Sequence, residues 1–219
     1  MLSGWMPPSV KLLIIADHAS NYIPKKYNNL GLKKKDVISH KAYDPGIKDL
    51  AINLSIKFNS HLVLGEYSRL LIDCNRDIYD PTLISVISDR KLILGNEKIS
   101  KQELIYRINK MYRPYHDKIN KKILENKINM IISLHSFNPI FKGKKRFLKY
   151  GILSNQDRRL SDLMINELRK REHVVGDNEP YKGSLIGDTL YKHAFKRGIH
   201  HSLIEIRNDL LSNVKKIDQ

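Results

Sequence analysis

Three apolar runs of the sequence carry side chains suited to metal and acid–base chemistry. His18 follows VKLLIIA (10–16), His135 lies near the end of NMIISLHS (129–136), and Glu205 lies within HSLIEIRND (201–209). A neutral imidazole supplies a nitrogen lone pair to Zn²⁺, and a nearby carboxylate can take a proton from water. Two interpretations are open on these residues alone: one shared site, or three separate hydrogen-bonded side chains.

Asp44 is a further carboxylate candidate, in the segment HKAYDPG (40–46). An aspartate just before Pro-Gly at a helix start commonly caps the free N–H groups of that helix. This use is compatible with metal binding at the same place. His40, four residues earlier, could support Asp44 as a hydrogen-bonding partner.

Arg69 and Arg76 bracket the segment RLLIDCNR (69–76). A guanidinium group presents paired donors that match a carboxylate, so these residues could bind the acid groups of a substrate. The alternative is a surface ion pair with Asp73 or Asp77, which would contribute little. Cys74, the only cysteine, is expected to be a small buried apolar residue and not a nucleophile.

Strands and helices alternate along the chain, which predicts an α/β sandwich with a mostly parallel or mixed central sheet. The apolar runs typical of buried strands are 10–16, 61–67, 69–75, 129–136, 150–155 and 201–209. Helices are predicted over 47–58, from Ser100 toward Ile123 with a kink at Pro114, and over 158–171, where Leu160, Leu163, Met164 and Leu168 would face inward. We find no repeat or linker, and therefore expect one domain over 1–219.

The charge of the chain raises a different possibility. Lys and Arg number 39 against 23 Asp and Glu, giving a formal net charge of +16 and a pI near 9.8. Such a balance could serve a basic nucleic-acid-binding module, but the lysines are scattered in short groups typical of solvated faces. No apolar run reaches the ~20 residues of a membrane-spanning helix. The single cysteine and the absence of a secretory signal predict a cytoplasmic protein.

Several segments together resemble the N-formylglutamate amidohydrolase family, in the family's order and over nearly the whole chain. They are DHASN with Ile23-Pro24, 40–46, 68–76, Pro114-Tyr115-His116, 133–139, 175–181 and 205–210. The family is similar in fold to zinc-dependent exopeptidases of the carboxypeptidase type. The resemblance therefore implies a three-layer, hydrolase-like sandwich.

The resemblance also implies roles for individual residues. His18 and His135 would bind one zinc ion per chain, and Glu205 would be the catalytic base. Carboxypeptidases have a ligand glutamate where this chain has Asn21, so the third ligand is either Asp44 or Asn21. The substrate-binding residues would be Arg69, Asn75, Arg76, Asn178 and Arg207.

The sequence thus predicts a zinc-dependent amidohydrolase that cleaves the formamide bond of N-formyl-L-glutamate, giving formate and L-glutamate. Two alternatives are a deacylase or peptidase of the same fold with another N-acyl substrate, and the basic nucleic-acid-binding module. One departure from the family concerns a turn: relatives commonly have Asp-Gly where this chain has Asp89-Arg90.

Overall fold

The computed structural model describes residues 10–183 and 186–212, and a six-stranded sheet forms its centre. The strands in this part of the chain are β1 (Leu12–Ala16), β2 (His61–Leu64), β3 (Ile87–Ser88), β4 (Lys91–Leu92), β5 (Met130–Phe137), β6 (Ile140–Phe141), β7 (Lys144–Lys145), β8 (Tyr150–Leu153), β9 (Val175–Asp177) and β10 (His200–Arg207). The order across the sheet is β2-β1-β5-β10-β8-β9, and only β10 and β8 pair antiparallel. The other four strands form two short hairpins.

Helices cover both faces of the sheet. The described α-helices are α1 (Lys34–Val37), α2 (Ile47–Lys57), α3 (Leu94–Glu97), α4 (Lys101–Arg107), α5 (Arg113–Asn126), α6 (Ser161–Lys170) and α7 (Thr189–His193). Successive β1 side chains alternate between two cores. Leu13 and Ile15 pack in the cluster that contains Ile119 of α5, whereas Ile14 packs in the cluster that contains Ile47 of α2. These two cores confirm the predicted α/β sandwich.

The kink predicted at Pro114 is present as a change of helix type. Ser100 caps α4 by accepting a hydrogen bond from the backbone N–H of Glu103 (3.1 Å). A wider π-helical segment, Ile108–Tyr112, then separates α4 from α5, in whose first turn Pro114 lies. Proline is tolerated there because the first N–H groups of a helix lack intrahelical partners. None of the described helices is long and apolar enough to cross a membrane.

Two expectations about local structure are wrong. The segment 69–75 is a series of turns and not a strand, although Leu70, Leu71 and Ile72 are buried. Its apolar run reflects burial in the core, which periodicity cannot distinguish from a strand. In α6, Leu163 is 65% exposed and the buried face is formed by Ser161 and Ile165.

The Asp89-Arg90 turn joins β3 to β4 with both residues at positive φ, 46° and 61°. A two-residue hairpin of this kind favours glycine at its second central position. The family's Asp-Gly would therefore suit this turn, and Arg90 adopts the same backbone at a conformational cost.

The sheet brings the chemistry-bearing residues together because β1, β5 and β10 are adjacent and parallel. Their carboxyl ends lie at one edge, where ligands bind in open α/β sheets. His135 and Glu205 are direct partners in the β5–β10 register, and His18 follows β1 on the other side of β5.

Gly65 fixes the loop that follows β1. Its N–H donates to the Ala16 carbonyl (2.8 Å), so the chain after β2 runs directly beside the chain after β1. A Cβ at this position would lie 2.0 Å from the Asp17 carbonyl oxygen. Only glycine allows this close approach of the two backbones.

We predict that Gly65→Ala destabilises the protein by about 1–3 kcal/mol, because the added methyl group forces the Asp17 backbone away. The free energy of unfolding in urea measures this effect. Glu66→Ala, at the neighbouring surface position, is the matched control and is expected to stay within about 0.5 kcal/mol of wild type. An unchanged unfolding midpoint for Gly65→Ala would contradict the close approach.

Candidate active site

His18, Asp44 and His135 form a buried cluster at the carboxyl edge of the sheet. One ligand atom from each residue lies within 4.8 Å of the others. The two imidazole rings meet edge to face, with centroids 4.9 Å apart. Nδ1 of His135 is 3.1 Å from Asp44 Oδ2, and Nδ1 of His18 is 3.6 Å from the same oxygen. The three side chains thus converge on one point.

A second carboxylate lies behind each histidine. Nε2 of His18 donates to Asp73 Oδ1 (2.7 Å), and Nε2 of His135 donates to Asp17 Oδ2 (3.1 Å). In the neutral form of each ring this Nε2 holds the only ring proton, so Nδ1 is the nitrogen whose lone pair is left for a metal ion at the centre. This carboxylate–histidine arrangement is the usual support of metal-binding imidazoles.

The supporting carboxylates are themselves held in place. The Thr189 hydroxyl donates to Asp17 Oδ1, and the Ser133 hydroxyl donates to Asp17 Oδ2 (3.3 Å). Asp73 accepts the backbone N–H of Asn75 (2.9 Å) and a guanidinium N–H of Arg69 (2.9 Å). The orientation of both imidazoles is therefore fixed from outside the cluster.

The charge balance of the cluster calls for a cation. Burial opposes ionisation of Asp44 and Asp73, yet the neighbouring histidines hold the pKa of each carboxyl well below its usual range, with Arg69 contributing at Asp73. Burial and Arg69 act to lower the pKa of His18, but the Asp73 and Asp44 carboxylates raise it overall. Buried carboxylates need a compensating positive charge. A divalent ion fits this donor set of two imidazoles and one carboxylate.

Unsatisfied polar atoms mark the same place. Within the residues that the structure describes, Nδ1 of His18, Oδ1 of Asp44 and Oε2 of Glu205 are buried without a hydrogen-bond partner. An orphaned buried polar atom costs about 1–3 kcal/mol. Three such atoms around one centre indicate that the centre is built to hold a ligand.

Glu205 lies beside this centre on β10. Burial raises the pKa of its carboxyl to about 7, and the nearby Asp44 carboxylate adds to this effect while His135 opposes it. A carboxyl group that titrates near neutral pH can act as a general base or acid. Glu205 does not pair with Arg207, two residues along the same strand, because Arg207 binds Asp209 (2.8 Å) and the carbonyl of Arg146 (2.9 Å).

Arg69, Asn75 and Arg76 line the same cavity, which has a volume of about 760 Å³. Arg69 pairs with Asp73 at 2.9 Å and approaches Asp44 at 3.9 Å. The side-chain oxygen of Asn75 accepts the backbone N–H of Thr189 (3.0 Å), which leaves its amide N–H groups for a ligand. Arg76 donates to Thr82 Oγ1 (3.2 Å) and to the Asn75 carbonyl (2.8 Å).

Other residues singled out in the sequence lie away from the centre. Neither Asn178 nor Arg207 is among the described residues that line the cavity. Asn178 accepts the backbone N–H groups of Ser154 (3.0 Å) and Gly183 (3.1 Å) and so secures a loop. Asn21 donates to the Val37 carbonyl (3.2 Å), which leaves Asp44 as the carboxylate at the cluster.

Asp44 does not cap α2 with its side chain. The residue at the N-cap is Gly46, and Oδ2 of Asp44 instead accepts the backbone N–H of Ser136 (3.2 Å). His40 does not hydrogen-bond Asp44 as expected from the sequence: its Nε2 donates to the Ser136 carbonyl and lies 3.4 Å from Asp44 Oδ1. The carboxylate is thereby directed toward β5 and the two histidines.

Sequence reasoning missed Asp17, Asp73 and Thr189 as parts of the site. Asp17 is adjacent to His18, but it supports His135, which is 118 residues away. Asp73 is 55 residues from His18, and Thr189 is 172 residues from Asp17. The adjacent Asp17-His18 pair was the one available signal, and it suggested no partner for either residue.

Comparisons with known proteins agree with this architecture. The family model of N-formylglutamate amidohydrolase matches residues 10–212. The crystal structure of gene product Atu2144 from Agrobacterium tumefaciens aligns with a TM-score of 0.90 and 35% identity, covering 95% of this chain and 84% of that one. No curated protein sequence matches the chain significantly.

A second solved structure shares the fold. The N-formylglutamate amidohydrolase from Ralstonia eutropha JMP134 aligns with a TM-score of 0.65 and 22% identity, covering 94% of this chain and 84% of that one. The family match confirms the resemblance read from the sequence. The chain therefore belongs to the N-formylglutamate amidohydrolase family, whose members are hydrolases of amide bonds.

Proposed function

We propose that this protein is a zinc-dependent amidohydrolase that cleaves N-formyl-L-glutamate to formate and L-glutamate. The observation that carries the proposal is the convergence of His18, Asp44 and His135 beside the buried carboxyl of Glu205. Family membership supports the amide bond as the target and a formylated glutamate as the substrate.

The donor set suits zinc better than magnesium or calcium. Zinc binds imidazole nitrogen and carboxylate oxygen in a four-coordinate site, whereas magnesium and calcium prefer oxygen ligands alone. Catalytic zinc sites commonly have three protein ligands and leave one position open. When bound by His18, Asp44 and His135, zinc would supply Lewis-acid chemistry that polarises the amide carbonyl and acidifies the attacking water.

Glu205 would move the proton. With a pKa near neutrality, its carboxylate can accept a proton from the attacking water and then deliver it to the leaving nitrogen. The water oxygen ends in formate, and the proton ends on the amine of L-glutamate. Because Glu205 is buried, bulk water does not compete for this proton.

Arg69 would stabilise the negative charge that develops on the carbonyl oxygen. Its guanidinium lies between Asp73 and Asp44, which fixes it at the edge of the cluster. A single prearranged donor of this kind contributes about 3–4 kcal/mol in well-studied enzymes. Arg76 and the amide of Asn75 would bind a carboxylate of the substrate, which orients the formyl group toward the cluster.

A substrate panel tests the proposal as a whole. N-formyl and N-acetyl amino acids are assayed with the metal-loaded protein, with and without a chelator. We expect the highest kcat/KM for N-formyl-L-glutamate and loss of turnover on metal removal. Higher kcat/KM for another N-acyl amino acid would instead support the alternative deacylase, and undiminished turnover in the chelated protein would exclude the metal-dependent mechanism.

The first prediction from this proposed function concerns metal binding. His135→Ala leaves two of the three ligands, so we expect metal content well below one ion per chain together with loss of turnover. Elemental analysis of the purified protein measures the metal content. His173→Ala replaces an exposed histidine and is expected to keep the full complement. One equivalent of zinc in His135→Ala would remove His135 from the ligand set.

The second prediction concerns the proton. We expect Glu205→Gln to bind zinc as wild type does and to lower kcat ~10²–10⁴-fold, because a positioned general base is lost. Activity of the wild type should fall as the pH drops below the pKa of Glu205, and this acid limb should be absent from the variant. The limb is expected at or below pH 7, since a bound cation favours the carboxylate.

Glu97→Gln, at an exposed position, is the control for this experiment. It should keep both the rate and the pH profile of the wild type. Turnover of Glu205→Gln close to the wild-type value would end the assignment of Glu205 as the base, whatever its metal content.

The third prediction concerns the guanidinium of Arg69. A lysine at this position keeps the charge but loses the two terminal nitrogens of the guanidinium, one of which contacts Asp73 while the other faces Asp44. We expect Arg69→Lys to lower kcat/KM about 10- to 100-fold, as for a lost charged hydrogen bond of about 1.5–3 kcal/mol. Steady-state kinetics measure this, with Arg171→Lys on the surface as control. Equal kinetics for all three proteins would assign Arg69 to the fold alone.

A further inference from the structure

The charges that line the cavity raise a question of specificity. The charged residues that line the cavity, leaving its histidines aside, are three acids and three cations. The acids are Asp44, Asp188 and Glu205, and the cations are Arg69, Arg76 and Lys182. A substrate with two carboxylates needs at least two cations that are not already neutralised by the protein. The three cations differ in this respect.

Arg69 is already engaged. It pairs with Asp73 at 2.9 Å and lies 3.9 Å from Asp44, so two buried carboxylates share its charge. Its other terminal nitrogen faces Asp44, one of the three residues of the buried His18, Asp44 and His135 cluster. It is therefore poorly placed to hold a carboxylate at the far end of a substrate.

Arg76 forms no close ion pair with a described residue, and its backbone is held by hydrogen bonds. In the described parts of the chain no carboxylate lies within 4.0 Å of its guanidinium, which donates hydrogen bonds to Thr82 and to the Asn75 carbonyl and interacts with the Asp73 and Asp80 carboxylates only at longer range. Its own carbonyl accepts hydrogen bonds from Tyr112 (2.7 Å) and Lys192 (2.8 Å). The backbone is thus held by two donors while the guanidinium faces the cavity, which suits the anchoring of one carboxylate.

Lys182 is the third cation, and its backbone is also held. It lies in the loop between β9 and α7. The next residue, Gly183, donates its N–H to Asn178 Oδ1 (3.1 Å), and a Cβ on Gly183 would lie 2.3 Å from the Ser154 nitrogen. On the other side, Tyr181 accepts a hydrogen bond from Arg146 (3.3 Å). Residues 178–183 are therefore held against the end of β8 at the cavity wall.

The side chain of Lys182 is exposed to solvent where it lines the cavity, and no described residue is paired with its ammonium group. Among the residues in 10–183 and 186–212, none forms an ion pair or a hydrogen bond with its side chain. A lysine that lines a cavity on an anchored loop, with an unpaired charge, is matched to an anionic ligand group. A lysine on a flexible stem also tolerates some variation in the position of that group.

We propose that Lys182 binds the side-chain carboxylate of the substrate while Arg76 anchors the α-carboxylate, which makes the enzyme selective for acidic N-acyl amino acids. This inference rests on the proposed function, because it assigns the specificity of the same site. It also gives Asn178 a role through the loop: Asn178 positions Lys182 by holding Gly183 and does not touch the substrate.

The experiment compares two substrates that differ by one charge. N-formyl-L-glutamate and N-formyl-L-glutamine are assayed with the wild type, Lys182→Met and Lys182→Glu. We expect Lys182→Met to lower the ratio of kcat/KM for glutamate over glutamine about 10- to 100-fold, mainly through KM, as for one charged hydrogen bond. Lys182→Glu should lower the ratio further, because a like charge then faces the carboxylate.

Lys144→Met is the matched control, since Lys144 is exposed on a hairpin outside the cavity lining. It should keep the wild-type ratio. A ratio for Lys182→Met within twofold of wild type would overturn the inference.

A binding measurement separates this inference from the proposed function. Calorimetric titration with L-glutamate and L-glutamine uses the same four proteins. If the wild type hydrolyses neither formyl compound but prefers L-glutamate, and Lys182→Met loses that preference, the proposed function fails and the role of Lys182 stands. If turnover occurs without any dependence of selectivity on Lys182, the proposed function stands and the inference fails. Absence of both turnover and preference would overturn both.

Discussion

The site depends on the burial of three carboxylates whose negative charge exceeds that of Arg69 alone and is balanced only when the two imidazoles are protonated or bind a cation. Asp17, Asp44 and Asp73 meet two imidazoles and Arg69 at the inner end of the cavity, where the carboxylates and the imidazoles are buried. Separating carboxylates from water costs several kcal/mol each unless a cation compensates. In the structure the histidines provide this compensation, and a divalent ion at their Nδ1 atoms would provide it better. The carboxylates therefore do two things: they orient the rings, and they raise the affinity of the centre for a cation.

This arrangement depends in turn on the parallel register of β1, β5 and β10. Because β5 lies between the other two, a residue after β1 and a residue within β10 both come beside His135. The antiparallel β8 next to β10 closes the cavity on the other side with Leu153 and the loop after it. The close approach of Gly65 to the Asp17 carbonyl then fixes the position of the loop that carries His18.

The large net charge of the chain and the charge of the site are separate matters. Most of the lysines lie on the surface, where charges are solvated and contribute little to a particular contact. The cations that line the cavity are few, and two of them are held by specific backbone contacts. A positive exterior still favours the approach of an anionic substrate, since long-range attraction raises the rate of encounter.

The sequence alone determined the alternation of strands and helices, because continuous apolar runs and helical stripes reflect which faces are buried. It also determined the candidate ligands His18, His135 and Asp44, together with Glu205, Arg69, Asn75 and Arg76, since their types and the order of their segments carry the family resemblance. It could not distinguish the buried turns at 69–75 from a strand, because burial and strand formation both select apolar residues. Only the tertiary structure decided that Asp17 supports His135 and that Asp73 supports His18. Among the described residues, Asn178 and Arg207 are not part of the cavity lining, although Asn178 binds two residues that are. These relations join residues far apart in the chain, and their distances are set by strand order and register, which no local pattern of residues encodes.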